Sequence, residues 1–336
     1  MAVKAKQKVQ APLARLRTAV SDHTAFLIAT SRARSWGWKI IRSVFILGFC
    51  FTILYPVILT IFRSFLPFED AYDNSIFLIP KRFTLENYMA VIPVIDYWNT
   101  LKNTLLLSLV VTLLQTASCV LVGYGFARYD FKFKKLMFLL VIFTIVVPPQ
   151  LLTLPQYLNF KDFNFLGLFN LLGLDSINLL DSFWPYFLMS AFCMGIRNGL
   201  YIFIFRQFFK GMPVETEEAA YVDGAGHFRV FAQVMLPNAV NSIVTVMLFS
   251  FVWQYNDTTY ASSFLPNLKV LSLSYNVLEN SKSVLQNNGY TDLFNPQFVS
   301  LLRSAAMMLI LLPLLLIYLV AQKFFVQSVE RSGLVG

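Results

Sequence analysis

The stretch PVETEEAAYVDGAGHFRVFAQVMLPN, residues 213–238, is a polar insertion between two of the most apolar segments of the chain. Pro213 suits the first turn of a helix, where its missing N–H is not needed. Glu215, Glu217 and Glu218 then lie near the positive end of the helix dipole, where negative charge is favoured. The pattern therefore predicts a helix that begins at about Pro213.

Two glycines mark the end of this helix. Gly224 and Gly226 can adopt the positive φ that ends one helix and turns the chain. A second helix is predicted over about 227–235, and Leu236-Pro237 ends it. The alanines of the first helix would let another surface approach closely, and its carboxylates would anchor Arg or Lys on that surface. We predict an exposed helix–turn–helix, and a plain re-entry loop is the alternative.

The rest of the composition indicates a lipid environment. Hydrophobic residues make up 57% of the 336 residues, charged residues make up 13%, and the mean hydropathy is +0.61. A soluble domain of this composition would expose large apolar patches. Residues 1–42 contain nine Lys/Arg and one acid just before a long apolar stretch. The positive-inside rule explains this basic segment better than nucleic-acid binding does, so the expected partner is a bilayer and no nucleic acid.

Six apolar stretches approach the ~20 residues that a membrane-spanning helix needs. Lys and Arg concentrate in the loop from Arg128 to Lys135, which places that loop and both termini in the cytoplasm. The expected fold class is all-α, a multi-pass membrane protein with a cytoplasmic helix pair. The predicted spans run roughly over 41–62, 102–126, 136–156, 183–205, 240–257 and 301–322. The predicted domains are a basic arm over 1–40, a six-span domain over 41–325 that includes the polar loop at about 210–238, and a tail over 326–336.

Two segments between the spans have helical signals. The sequence RFTLENYMAVIP, residues 82–93, has Thr84 as an N-cap candidate and Glu86 early in the helix. A short helix is expected there. The segment LLGLDSINLLDSF, residues 171–183, predicts either a second short helix or an irregular connector.

The chain lacks the patterns that catalysis would need. No G-x-x-x-x-G-K-[ST] run is present, so the usual phosphate-binding loop is missing. His23 and His227 are far apart in sequence, and neither belongs to a metal or nucleophile pattern. The three cysteines fall inside apolar stretches without disulfide or metal spacing. We expect no active site, no metal and no enzymatic activity in this chain.

The spacing in the quoted stretch resembles a known signature. Glu218-Ala219-Ala220, Gly224 and the closing Leu-Pro are arranged as in the EAA motif of ABC importer permeases, with Val234 where that family commonly has Ile. Further stretches resemble the maltose-type carbohydrate branch of the family: GYGFARYDFKFKKLMFLLVIFTIVVPPQ (123–150), FTLENY (83–88), YND (255–257) and the tail QKFFVQSVERSGLVG (322–336).

The resemblance implies a place in a larger bacterial inner-membrane assembly. Two related permease subunits would form the pathway, two cytoplasmic ATPases would bind ATP and magnesium, and an external sugar-binding protein would deliver an oligosaccharide. This chain would need no cofactor of its own. Its helix pair would dock on an ATPase and couple ATP hydrolysis to movement of the spans. The coupling residues implied are Glu218, Ala219, Ala220, Asp223, Gly224, Leu236 and Pro237.

Arg197 is a charge placed deep in the predicted fourth span. It lies nine residues before Arg206, or ~13 Å along a helix. A charge at such depth costs at least ~2.5–3.5 kcal/mol by insertion scales, so it should face a pathway, a cavity or a partner. With Asn198 it could bond sugar hydroxyls or pair with the carboxylate of an acidic sugar. A salt bridge to the partner permease, or a misplaced span boundary, is the alternative.

Other polar and aromatic residues of the spans are weaker pathway candidates, because amides and aromatic faces suit sugars. Three further functions stay open: a permease for an acidic sugar derivative or another solute, an ion-coupled secondary carrier, and a membrane scaffold. The carrier is retained because Pro148-Pro149 and Pro155 could break the third span. The pathway candidates besides Arg197 and Asn198 are Gln115, Gln150, Trp253, Gln254 and Asn256, with Asn103 and Gln156 as additional polar positions.

Overall fold

The computed structural model describes residues 36–73, 78–167, 169, 173, 175–280 and 296–333. Most of the predicted basic arm, His23 and the last three residues of the predicted tail lie outside this described part. The chain divides into two compact units, Met1–Ile61 and Phe62–Gly336. The described part of the first unit belongs to one helix, whose most apolar window has none of its residues buried.

The described residues form helices and one isolated β-bridge, which confirms the all-α class. The chain order also includes two short 3-10 helices, Phe68–Tyr72 and Phe165–Gly167. The helices are α1 Trp36–Ser64, α2 Glu86–Val94, α3 Tyr97–Arg128, α4 Lys134–Val146, α5 Gln150–Lys161, α6 Trp184–Ala191, α7 Asn198–Gly211, α8 Glu215–Val222, α9 His227–Asn238, α10 Val240–Tyr255, α11 Ala261–Phe264, α12 Leu271–Asn280 and α13 Pro296–Gly333.

Three described helices are long and apolar enough to cross a membrane by themselves: α1, α3 and the part of α13 over Pro296–Val320. They correspond to the predicted spans 41–62, 102–126 and 301–322. Two bent pairs, α4 with α5 and α9 with α10, raise the number of candidate spans to five if each pair is one span. In α13 the helix continues to Gly333, beyond the boundary predicted at 322.

The predicted third span, 136–156, is broken. Its two halves, α4 and α5, meet at an angle of 104°. Pro148 and Pro149 lie in the break, because proline lacks the N–H of the helical ladder and disfavours the α conformation of the preceding residue. Pro155 lies inside α5 and does not end it.

The prediction of one continuous helix over 183–205 is wrong. The structure has α6 and α7 there, separated by residues 192–197. Cys193 and Arg197 have positive φ, 58° and 62°, which no helix interior contains. The apolar composition of this stretch concealed the break, since hydropathy reports burial and not backbone geometry.

The short helix predicted over 82–93 is present as α2. Its N-cap position is Leu85 and not Thr84. Thr84 still accepts a hydrogen bond from the Glu86 N–H at 3.2 Å, so it satisfies one free donor of the first turn. The described part of 171–183 contains no helix. Ile177 instead pairs with Phe163 in an antiparallel bridge with two N–H···O bonds of 3.0 Å.

Helix α3 is the central element of the second unit, where it packs most extensively against α7 and α10. Its buried side chains enter three apolar clusters in succession, with Tyr97 in the first, Leu107 in the second and Cys119 in the third. Gly123 allows the close approach to α7, because a Cβ there would lie 2.5 Å from Phe205 Cβ. The long helix therefore contacts both of the candidate regions that the next subsection describes.

Candidate functional site

The two helices α8 and α9, which we call the helix pair, are joined by a turn at Asp223–Gly226. Gly224 has φ +82°, which confirms the turn expected of it, and its N–H donates to Tyr221 O at 3.0 Å. Gly226 has φ −74° and is the N-cap of α9, so the positive φ considered for it is not used. Pro213 precedes the N-cap Val214 and therefore lies just outside the first turn.

The second member of the pair, α9, is longer than the predicted 227–235 and irregular. Residues Phe231–Met235 form a π-helical turn, and Leu236–Asn238 follow as one more helical turn. Pro237 lies in that last turn, and a bend of 76° separates α9 from α10. Such π-helical turns often occur at functional positions of helices.

A hydrogen bond of 2.8 Å between Tyr221 Oη and His227 Nδ1 joins the two helices across the turn. Desolvation raises the pKa of Tyr221, with smaller contributions from Tyr129 and from the negative charge of Glu217. His227 therefore has a hydrogen-bond partner within the helix pair.

A buried ion pair connects the helix pair to α3. Arg128 Nε lies 2.5 Å from Glu217 Oε1, with the two side chains only 10% and 8% exposed. Arg128 Nη2 also donates to Met212 O at 3.0 Å, and Tyr124 Oη donates to Glu217 Oε2 at 3.5 Å. Tyr124 packs against Phe231 of α9 with ring centroids 4.9 Å apart. The last turns of α3 are thus fastened to both helices of the pair.

The contact between Arg128 and Glu217 was not predicted from the sequence, in which Arg128 is a topology signal and Glu217 is one of three acids that stabilise the helix dipole. The usable signal was helical spacing: Glu217 shares a face with Ala220 and Tyr221, three and four residues later, which pack against the apolar cluster. Its neighbour Glu218 is exposed on another face.

The opposite face of the helix pair is exposed and mixes polar and apolar residues. Val222 is 86% exposed and Phe228 is 81% exposed, unusual values for large apolar side chains in a polar segment. Of the predicted coupling residues, the exposed ones are Glu218, Ala219, Asp223, Gly224 and Pro237, whereas Ala220 and Leu236 are half-buried.

A second region, which we call the cleft, is a cavity of about 440 Å³. Three chain interruptions surround it: the α4–α5 break, the 192–197 break and the end of α10. Four predicted pathway residues line it together: Arg197, Gln150, Trp253 and Asn256. Unpaired backbone at membrane depth is tolerated where it lines a polar cavity, which fits this arrangement.

Arg197 is the N-cap residue of α7, and its guanidinium lies over the Trp253 ring at 4.5 Å from the centroid. No carboxylate of the described residues forms an ion pair with it. Asp257 is the one acid among the described residues that line the cleft. It accepts hydrogen bonds from Tyr186 Oη at 2.8 Å and from backbone N–H groups, including that of Thr259 at 3.1 Å.

The other pathway candidates lie behind the cleft surface. Gln115 is 2% exposed; its Nε2 donates to Ile196 O at 3.1 Å and its Oε1 accepts from Ser250 Oγ. Asn198 is buried, and in its satisfied amide orientation its oxygen accepts from Gly195 N–H at 3.0 Å. These two residues hold the 192–197 break in place, so their contribution to a pathway stays a prediction.

Three further polar candidates also lie outside the cleft lining. Gln254 is buried in α10, whereas Asn103 donates to Lys269 O at 3.2 Å, and Gln156 lines a separate apolar cavity beside α5. Among the described residues, no cluster of three or more His, Cys, Asp or Glu could hold a metal ion. The described part of the chain thus contains a polar cleft and, apart from it, a helix pair with an exposed face.

Comparison with known proteins gives a consistent result. A family described as "Binding-protein-dependent transport system inner membrane component" matches residues 119–331. The chain is 24% identical over 292 residues to an arabinooligosaccharides transport system permease protein of Halalkalibacterium halodurans, covering 85% of this chain and 92% of the relative. It is 26% identical over 301 residues to a polygalacturonan/rhamnogalacturonan transport system permease protein of Bacillus subtilis, covering 87% and 96%.

The fold has a solved counterpart in a bacterial ABC transporter involved in the import of the acidic polysaccharide alginate. The TM-score is 0.67 at 20% identity, and the match covers 86% of this chain and 96% of that chain. The matched family is a membrane component without ATPase activity, so the chain is a transport subunit and no enzyme, and no cofactor is assigned to it. Since the family covers well over half of its residues, the chain belongs to the inner membrane components of binding-protein-dependent transport systems, the permease subunits of ABC importers.

Proposed function

We propose that this chain forms half of the membrane pathway of an oligosaccharide importer, and that its helix pair couples the pathway to cytoplasmic ATPases. The buried ion pair between Arg128 and Glu217 carries this proposal. A surface loop needs no internal charge pair, whereas an element that transmits force must be fixed rigidly to what it moves. The pair and the Tyr124 contacts supply that attachment.

The exposed face of the helix pair supports docking of another protein. Docking would bury the exposed side chains of Val222 and Phe228 against the partner, which is favourable because apolar surface leaves water. The carboxylates of Glu218 and Asp223 would accept charge-assisted hydrogen bonds from basic residues of an ATPase. The buried face of the helix pair then contacts α3, and its exposed face contacts the ATPase.

A continuous chain of contacts supports transmission from the helix pair to the cleft. Glu217 contacts Arg128 at the end of α3, and the helix runs as one rigid element of ~48 Å. Midway along it, Gln115 bonds Ile196, the neighbour of Arg197 in the cleft lining. Movement of α3 would reposition the cleft between two discrete arrangements, as coupling between distant sites requires.

The proposed topology keeps six spans: α1, α3, the α4–α5 pair, the interrupted α6–α7 pair, α10 and α13. The arm over 1–40, the helix pair and the tail over 326–336 lie in the cytoplasm. The proposed assembly adds a second permease, two ATPases and an extracytoplasmic sugar-binding protein. The names of the two relatives, which refer to oligosaccharide and polysaccharide transport, support a carbohydrate as the solute.

The test is reconstitution of the assembled transporter in proteoliposomes with single cysteines at Val222 or Phe228. We expect ATP-dependent uptake of a labelled oligosaccharide and cross-links from both positions to the ATPase. Trp98→Cys, an exposed position in the first turn of α3, is the matched control and should not cross-link. Cross-links from Trp98 with none from the helix pair would contradict the coupling proposal. Uptake that follows an ion gradient without ATP would instead identify a secondary carrier, and no uptake at all a scaffold.

A further inference from the structure

We propose that the cleft binds a carboxylate-bearing sugar, such as a uronic acid unit of an oligosaccharide, with Arg197 as its counter-ion and Trp253 as its stacking platform. This inference names the substrate class of the importer and therefore rests on the proposed function. Neutral oligosaccharides would not need a guanidinium in the lining.

The first argument is charge. Arg82 and Arg128 each contact a carboxylate within the chain, whereas no described acid pairs with Arg197. Asp257 lines the same cleft, but Tyr186 and three backbone N–H groups already occupy its oxygens. A guanidinium inside a membrane protein is retained where a partner or a polar cavity compensates its desolvation. Its free donors are therefore available to an anion in the cleft.

The second argument is the kind of anion. Of the described residues that line the cleft, Arg197 is the only cation. One planar guanidinium matches one planar carboxylate through two parallel hydrogen bonds. A phosphate carries more charge and is generally held by several donors or cations, which this lining does not supply. The position of Arg197 at the start of α7 adds the partial positive charge of that helix end.

The third argument is the sugar ring. Trp253 is half-exposed at the cleft, and Asn256, Thr258 and Gln150 provide hydrogen-bonding groups around it. Sugar rings present apolar C–H faces to aromatic rings and hydroxyls to amides. The cavity of about 440 Å³ lies within the range of small-molecule sites. A carboxylate, a ring face and hydroxyls would thus each meet a suitable group.

The test compares uptake of trigalacturonate with that of the matched neutral trisaccharide, α-1,4-galactotriose, by the reconstituted transporter. We use Arg197→Asn, because Asn tolerates the positive φ of this position while removing the charge. Loss of the charged hydrogen bonds should lower uptake of the acidic probe on the order of ten- to a hundredfold. Uptake of the neutral probe should change less than about threefold. Arg197→Lys, which keeps the charge without the planar fork, should recover part of the acidic uptake.

Arg206→Gln is the matched control, because Arg206 is stacked on Phe138 at 3.9 Å but does not line the cleft. It should transport both probes as the wild type does. Equal loss of both probes in Arg197→Asn, together with weaker assembly of the transporter, would identify a contact to the partner permease and overturn the inference. ATP-dependent uptake of the neutral probe alone by the wild type would also overturn it and leave the proposed function intact. If neither probe is imported with ATP, the inference fails, whereas the proposed function is decided by the cross-links of Val222 and Phe228 to the ATPase.

Discussion

Two arginines of this chain have opposite environments. Arg128 is nearly buried, lies 2.5 Å from Glu217 and donates to Met212 O. Arg197 lines an open cleft, stacks on Trp253 and has no acidic partner among the described residues. The paired charge fixes two elements to each other, whereas the unpaired charge keeps its donors available. One residue type therefore serves attachment in one region and, in our proposal, recognition in the other.

The physical reason lies in desolvation. A charge removed from water must regain its lost interactions, and at Arg128 a carboxylate and a carbonyl supply them within the chain. At Arg197 the cleft leaves room for water or a ligand, which can supply these interactions from outside the chain. Changes at the Arg128 junction should consequently reduce stability first, and changes at the cleft should reduce selectivity first. The following four predictions test this contrast, in order of expected effect.

The largest effect is expected from Glu217→Ala, which leaves Arg128 buried without its partner. Breaking a buried pair in this way typically costs about 3–5 kcal/mol. We expect a large decrease in the unfolding free energy of the purified chain, measured by chemical denaturation in lipid–detergent micelles. A decrease below about 1 kcal/mol, as is typical of an exposed ion pair, would show that the Arg128–Glu217 pair does not fix the two elements to each other.

Two controls sharpen that prediction. Glu218→Ala changes the adjacent, exposed carboxylate and should leave the unfolding transition unchanged while weakening ATPase docking. The double change Arg128→Met with Glu217→Leu removes both charges and should recover stability, because an apolar pair needs no desolvation compensation. Recovered stability with full transport would mean that the ion pair serves folding alone.

The second prediction concerns the packing that frames the cleft. A Cβ at Gly199 would overlap Thr144 Oγ1 and lie 2.8 Å from the Val141 carbonyl oxygen. Gly199→Ala should therefore destabilise the chain by about 1–3 kcal/mol through overpacking of α7 against α4. Gly125→Ala is the control, because a Cβ added at Gly125 would have no atom within 4 Å. Thermal unfolding of this variant should occur at the same temperature as that of the wild type. Equal stability of the two variants would refute the close contact.

The third prediction separates the two glycines of the turn. Gly224→Ser places an L-residue at φ +82°, which costs roughly 1–2 kcal/mol locally. It should uncouple ATP hydrolysis from uptake by distorting the helix pair, as measured by the ratio of the two rates. Gly226→Ser, at φ −74° and at an N-cap position, provides a favoured capping residue and should keep normal coupling. Identical ratios in the two variants would be evidence against the turn's role.

The smallest effect is expected from Trp253→Leu. Trp253 holds the Arg197 guanidinium in position, and a guanidinium over an aromatic ring at a partly exposed site contributes about 0.5–1 kcal/mol. If that contribution is lost from substrate binding, KM for trigalacturonate should rise about two- to fivefold. Trp184→Leu changes another exposed tryptophan outside the cleft and should leave KM unchanged. An unaltered KM in both variants would show that Trp253 does not contribute to substrate binding.

Much of the helix pair could be predicted from sequence, because its signals are local. The acids of the first turn and Gly224 each act within a few residues, whereas Leu236-Pro237 does not end α9, which continues to Asn238. The long apolar helices α1 and α3 were equally predictable, because length and hydropathy suffice to identify a membrane-spanning helix. By contrast, the break over 192–197 has no local proline, and hydropathy treats it as continuous span.

Hydropathy and turn chemistry are properties of neighbouring residues, so an all-α membrane protein with a polar helix pair was predictable from the amino-acid sequence. Which of two adjacent glutamates is buried, and which arginine is paired, depends instead on how distant elements pack. Glu217 and Glu218 are chemically identical and one helical position apart, so their roles depend on which face meets Arg128. Likewise, Arg197 meets Trp253 only because two interrupted elements converge on one cavity, and no local pattern encodes that meeting.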